Sequence, residues 1–198
     1  MSRHFAAIAY TPSVRNCQRM FGGRDLGESA EGIPAENATV PSAELGTREQ
    51  EFIAARDSFY LSTVSESGWP HVQHRGGPAG FLRILGPKTL AFADLSGNRQ
   101  YVSVGNLTRN DRAALILVDY PNRRRLKILG HVELIDMAAA APNLMEKMQL
   151  SEGNIERIML IQIAAFDWNC SRYITPRFTE SEWQSRCSQL SEPSTTKE

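Results

Sequence analysis

Between Trp69 and Pro78 the chain reads Trp-Pro-His-Val-Gln-His-Arg-Gly-Gly-Pro, which sets Gln73, His74 and Arg75 side by side. A glutamine amide both donates to and accepts from a heterocycle edge, and a guanidinium forks onto phosphate or carbonyl oxygens. Along a strand, alternation sends Gln73 and Arg75 to one face and His74 to the other. The stretch reads as a strand that holds a polar ligand, or as a solvent-facing polar strand. A second group is Asp94-Leu95-Ser96-Gly97-Asn98-Arg99-Gln100. Here a strand ends and a helix over 98–107 is expected, with Arg99 in its first turn. The Ser96 hydroxyl, free backbone N–H groups, the helix dipole and Arg99 would then converge on one anion-sized spot. An ordinary capped turn is the alternative.

Two further groups are weaker. Tyr120-Pro121-Asn122-Arg123-Arg124-Arg125-Leu126-Lys127 is a basic hairpin tip. A solvated turn accounts for it, although Arg124 or Arg125 at the strand mouth could add to a phosphate site. No aromatic platform or wider basic surface accompanies it, so nucleic acid is not an expected partner. Phe166-Asp167-Trp168-Asn169-Cys170 and Ile174-Thr175-Pro176-Arg177 follow the last expected strand. Trp168 beside an amide could wall a flat heterocycle or simply pack a barrel end. Cys170 lacks a nearby histidine base. His131 reads as structural, and His74 is the best acid–base candidate, so no catalytic set is assigned. Glycine-rich phosphate loops, zinc-protease helices, Cys-x-x-Cys pairs and nucleophile elbows are absent from the sequence, and neither hydrolase nor metal chemistry is expected.

The elements that must position these residues are mostly strands. Hydrophobic alternation and turn residues predict strands at 57–65, 70–75, 81–85, 89–94, 113–120, 124–135 and 157–166. Helices fit only at joints: from a Ser13 cap to Phe21, from a Thr47–Gln50 capping box to about Asp57, at 98–107, and at 142–150 with Pro142 in the first turn. Close hairpin spacing favours an antiparallel barrel over a crossover sheet. Residues 1–46 read as a partly irregular arm, either loose or wrapped on a partner subunit. Residues 47–180 form the domain, and 181–198 read as a disordered tail.

The 198 residues suffice for one domain with extensions, and their formal charge of zero gives no global pull toward nucleic acid or membrane. Of 22 basic residues only Lys88, Lys127, Lys147 and Lys197 are lysines. Cys17, Cys170 and Cys187 have no metal-type spacing and suit a reducing compartment. Without an apolar leader or a long apolar run, the expected place is the cytoplasm, with no membrane partner.

Taken in order, these residues resemble the pyridoxamine 5'-phosphate oxidase-related family of FMN-binding split barrels. The carriers are Arg56–Leu61, Gly68–Pro78, Phe92–Asp94, Gly97–Gln100, Gly105–Leu107, Asp119–Pro121, Leu126–Gly130, Trp168–Cys170 and Ile174–Arg177. The resemblance covers about Leu45 to Arg177. It implies a mainly β fold with flanking helices, a six-stranded antiparallel Greek-key split β-barrel, and a homodimer with FMN in a cleft at the subunit interface. Gln73, His74 and Arg75 would line the ribityl and ring region, while Ser96, Arg99 and Gln100 would hold the phosphate, to which the basic hairpin read above adds Arg125 as a cofactor-binding candidate. Trp168, Asn169 and Arg177 would approach the ring, from either subunit. An oxidoreductase acting on a small substrate, or fed by a nicotinamide donor, is the expected activity. A non-enzymatic flavin-binding or redox-sensing module, or a split barrel holding haem or a deazaflavin, is the alternative. Vitamin B6 oxidases proper carry an Arg-x-Val-Leu-Leu-Lys strand and an Arg-Lys pair. This chain has Val72-Gln73-His74-Arg75-Gly76-Gly77, and Gln100 in the lysine's place, so pyridoxamine phosphate is not the expected substrate.

Overall fold

Period-two burial shapes the strands. In β1 (Ser58–Val64) Phe59, Leu61 and Thr63 turn inward, and in β5 (Arg112–Asp119) Ala113, Leu115 and Leu117 do the same. The computed structural model describes residues 3–22, 44–149, 155–168 and 171–191. The remaining strands are β2 (Pro70–Gly76), β3 (Arg83–Gly86), β4 (Thr89–Leu95), β6 (Arg124–Asp136) and β7 (Ile155–Trp168). All neighbours pair antiparallel in the order β2-β1-β5-β6-β7-β4-β3. The sheet thus has seven strands, the number that hydrophobic patterning predicts, rather than the six that the family resemblance implies.

The sheet is curled. Three strands separate β1 from β4 in the hydrogen-bonded order, which in a flat sheet would set them about 19 Å apart. Yet the Phe59 and Phe92 rings meet edge to face with centroids 5.2 Å apart, and Arg75 of β2 reaches Asp94 of β4 at 2.7 Å. The wall closes on one apolar core that includes Leu61, Leu90, Leu115, Leu126, Ile128 and Ile161. Bending the long β6–β7 ribbon requires Gly130. The register shifts there, and a Cβ on it would lie 2.7 Å from the Gln162 carbonyl oxygen.

Helices cover the openings. The α4 helix (Val102–Arg109) is tied to the inner face of β1 by a buried bond from Asn106 Nδ2 to Thr63 Oγ1, 3.0 Å. A 3₁₀ turn (Met137–Ala139) and α5 (Pro142–Met148) cover the outer face of β4, where Met148, Ala91 and Ile158 form a second cluster. Arg83 Nε donates to the Met148 carbonyl at 3.0 Å, satisfying one of the acceptors that a helix end leaves open.

Several expected boundaries move. The α3 helix (Thr47–Ala54) starts one residue earlier than the Thr47 cap implies: Gly46 is the cap residue, and Glu49 Oε2 accepts its N–H at 3.1 Å. In α2 (Pro12–Met20) the capping oxygen belongs to Thr11, not Ser13. The N-terminal arm also contains α1 (Arg3–Ala9), whose Phe5 and Ala6 are buried. Its irregular stretch at 23–43 lies outside the described residues. Residues 181–191 of the expected disordered tail lie in α6 (Glu180–Ser191), and 192–198 lie outside the described residues.

Candidate functional site

Strand alternation in β2 divides the Gln73-His74-Arg75 triplet. Gln73 and Arg75 are half-buried and point into a cavity of about 250 Å³ between β2, the end of β4 and the start of α4. His74 lies on the opposite face, exposed, with its ring edge against Tyr60 at 5.5 Å. The expectation that His74 lines the same pocket is therefore corrected by the two-residue period of the strand. His74 also drops out as an acid–base candidate there.

Beyond β4 the chain does not enter a helix at once. Residues 98–101 form an irregular turn, and α4 begins only at Val102, so Arg99 is not in its first turn. Arg99 and Tyr101 both take left-handed backbone angles, φ 56° and 53°. Arg99 and Gln100 line the cavity together with Gly97, Asn98 and Tyr101. Ser96 sits between lining residues Leu95 and Gly97 without lining the cavity itself.

The floor is an ion-pair chain that sequence reasoning did not assemble. Buried Asp94 accepts from Arg75 Nη1 through one oxygen and from Arg157 Nη1 through the other, both at 2.7 Å. Arg157 Nη2 donates to Glu156 Oε2 at 3.0 Å, and Glu156 Oε1 accepts the Tyr101 hydroxyl at 2.8 Å. Burial works against the Arg157 charge, but Asp94 and Glu156 outweigh it and hold the guanidinium more firmly protonated than usual. Glu156 also holds the Tyr101 phenol above its ordinary value by accepting its hydrogen bond. Ser103 Oγ donates to Gln73 Oε1 at 3.0 Å, leaving the amide N–H₂ as the group Gln73 can offer a ligand. Arg75 Nε is buried without a hydrogen-bond partner on the protein. Asp94, Ser103, Glu156 and Arg157 were missed because they meet only through β4–β7 pairing and the packing of α4; the Asp94↔Arg157 register was the signal available.

The other expected residues lie elsewhere. Trp168 ends β7, eleven residues beyond Arg157 and at the opposite end of the strand. There its indole N–H donates to Glu49 Oε1 at 2.6 Å, with Arg48 over its ring at 4.2 Å and Phe52 edge-on at 4.7 Å. Arg125, paired with Val118, shares that end of the barrel. Arg177 covers the Tyr120 ring at 5.1 Å. Burial first, and then the Tyr60 hydroxyl, holds the Tyr120 phenol above the usual tyrosine range. Asn169 falls outside the described residues. One protomer thus gathers Gln73, Arg75, Arg99 and Gln100 around the cavity and leaves Arg125, Trp168 and Arg177 outside its lining.

A family model described as pyridoxamine 5'-phosphate oxidase matches residues 46–165, more than half of the chain and nearly the whole barrel. The chain belongs to the pyridoxamine 5'-phosphate oxidase family. No curated protein matches it in sequence. Among solved structures, it resembles a candidate pyridoxamine 5'-phosphate oxidase of Lactobacillus delbrueckii at 18% identity and a TM-score of 0.51, covering 65% of this chain and 97% of that one. It also resembles the HupZ protein of Group A Streptococcus at 14% identity and a TM-score of 0.52, covering 68% and 100%. At these identities the likeness establishes the split-barrel fold alone. Within the family fold, the cavity beside β2 occupies the seam where the two ends of the curled sheet meet. Among the described residues no three metal-ligating side chains gather, and no helix is long and apolar enough to cross a membrane.

Proposed function

We propose that this family member is an FMN-binding flavoprotein that works as an oxidoreductase on a small molecule. The observation that carries the reading is the unpartnered, buried Nε of Arg75 in a cavity also lined by the Arg99 guanidinium and the side-chain amides of Gln73, Asn98 and Gln100. Asp94, the carboxylate there, is already held by two guanidiniums and does not repel an anion. Such a set fits a ligand that is anionic at one end and rich in carbonyl and ring-nitrogen acceptors at the other. Arg99, Gln100 and the backbone of Ser96–Asn98 would hold the phosphate, and Gln73 and Arg75 the acceptor edge of the ring. FMN, when bound, supplies the hydride or electron transfer, and the protein supplies orientation and charge. A second copy is part of this reading because Trp168 and Arg177 do not line the cavity of their own protomer. If Trp168 and Arg177 approach the same ring as Arg75, they come from a partner subunit across a two-fold axis.

The test is the visible absorption spectrum of the freshly purified protein, with the released chromophore weighed by mass spectrometry. A yellow protein releasing FMN is expected, with reduced nicotinamide then bleaching it if the flavin turns over. A colourless protein that also refuses added FMN overturns the reading, and a strong Soret band would replace it with haem.

A further inference from the structure

We infer that Tyr101 and Glu156 form a latch that sets the shape of the 96–101 turn, which makes Tyr101 a positioning residue for the phosphate end of the flavin site. The inference rests on the flavin reading above for its ligand, but its structural half stands apart from it. Two L-residues in this turn, Arg99 at φ 56° and Tyr101 at φ 53°, are left-handed, a conformation that side chains with a Cβ disfavour. Such a backbone persists only where its surroundings over-determine it. Within the turn the one side-chain bond is from Gln100 N–H to Asn98 Oδ1, a long 3.2 Å, and the Tyr101 side chain makes no capping hydrogen bond to α4. The holding contacts come instead from β7. Glu156 accepts the Tyr101 hydroxyl at 2.8 Å, and the Arg157 guanidinium lies over the Tyr101 ring at 5.3 Å.

The same two β7 residues continue to the facing wall. Glu156 binds Arg157, Arg157 binds Asp94, and Asp94 binds Arg75. One polar chain therefore fixes the phosphate turn on one side of the cavity against the ring-binding arginine on the other. Because Arg99 and Gln100 are themselves exposed, their direction is set by the backbone that Tyr101 pins rather than by packing. Loosening the latch should leave the ring contacts intact and misplace the phosphate contacts.

Tyr101→Phe removes the hydroxyl and keeps the ring, while Glu156→Gln keeps an acceptor oxygen for it. In the full chain without flavin, hydrogen–deuterium exchange at Gly97–Gln100 should quicken in Tyr101→Phe, remain near wild type in Glu156→Gln, and stay unchanged in the core strands of both. In titrations, Tyr101→Phe should lose about tenfold in FMN affinity and nothing in riboflavin affinity, since riboflavin lacks the phosphate. Exchange unaltered by Tyr101→Phe overturns the latch. Equal losses for FMN and riboflavin overturn the assignment to the phosphate end. Wild-type protein that binds neither flavin fails the cofactor reading instead, and the exchange result then decides the latch by itself.

Discussion

At the scale of single residues, Asp94 has the widest consequences, because one buried carboxylate holds two arginines that would otherwise face each other. Its side chain is 6% exposed, and those of Arg75 and Arg157 are 15% and 14% exposed, so solvent gives little screening. Removing the shared partner strands the Arg75 guanidinium in a poorly solvated seam and leaves Arg157 with Glu156 alone, a change that typically costs about 3–5 kcal/mol. Asp94→Ala should therefore lower the urea midpoint strongly, and an unfolding curve that overlays the wild type would show that the pairs contribute little. Arg99 is a different case, exposed and unsupported by an ion pair in the seam. Arg99→Ala should leave stability within about 0.5 kcal/mol of wild type while weakening FMN by about 2 kcal/mol. Parallel denaturation and FMN titration separate the two effects, and unchanged FMN affinity would remove Arg99 from the phosphate site.

At the scale of elements, local chemistry located the hairpins and tertiary contacts reset their edges. The β1–β2 hairpin was legible from the strands expected at 57–65 and 70–75 and the short turn between them, where Gly68 supplies a left-handed angle of 84°. The start of α4 was not legible. Its left-handed positions fall on Arg99 and Tyr101, whereas neighbouring Gly97 and Asn98 are the residues whose types favour that conformation. The α3 cap shows the same limit. Thr47–Gln50 and Gly46–Glu49 are both acceptable capping registers, and the second is used where Glu49 also takes the Trp168 indole N–H. Gly130 marks an element whose requirement is spatial. A methyl group there would press on the Gln162 carbonyl at 2.7 Å and on Ile161 Cγ2 at 2.9 Å, inside a paired ribbon with no room to yield. Gly130→Ala should destabilise by about 1–3 kcal/mol in chemical denaturation, and a neutral result would mean that the ribbon relaxes freely.

At the scale of the whole molecule, the curled sheet leaves two kinds of surface. The seam carries the cavity, and the outer face of β1–β2 exposes Tyr60 and Val72, with Trp69 at the hairpin tip 76% exposed. In the proposed shared site, a second copy would cover this face and bring its Trp168 and Arg177 to the cavity. Sedimentation velocity should give twice the 22.1 kDa chain mass, and a concentration-independent monomer would remove the shared-site proposal. The sequence by itself determined the strands, the hairpin pairing of neighbours, the family, and that Gln73 and Arg75 share a face, because each follows from periodicity or from a local motif. Only the tertiary structure decided that β2 closes on β4, that Asp94, Arg157, Glu156 and Tyr101 link into one chain, and that Trp168 packs on Glu49 and Phe52 rather than lining the cavity of its own protomer. Those facts depend on which non-adjacent strands pair and on how tightly the sheet curls. Both are set by the packing of the entire core rather than by any stretch of it.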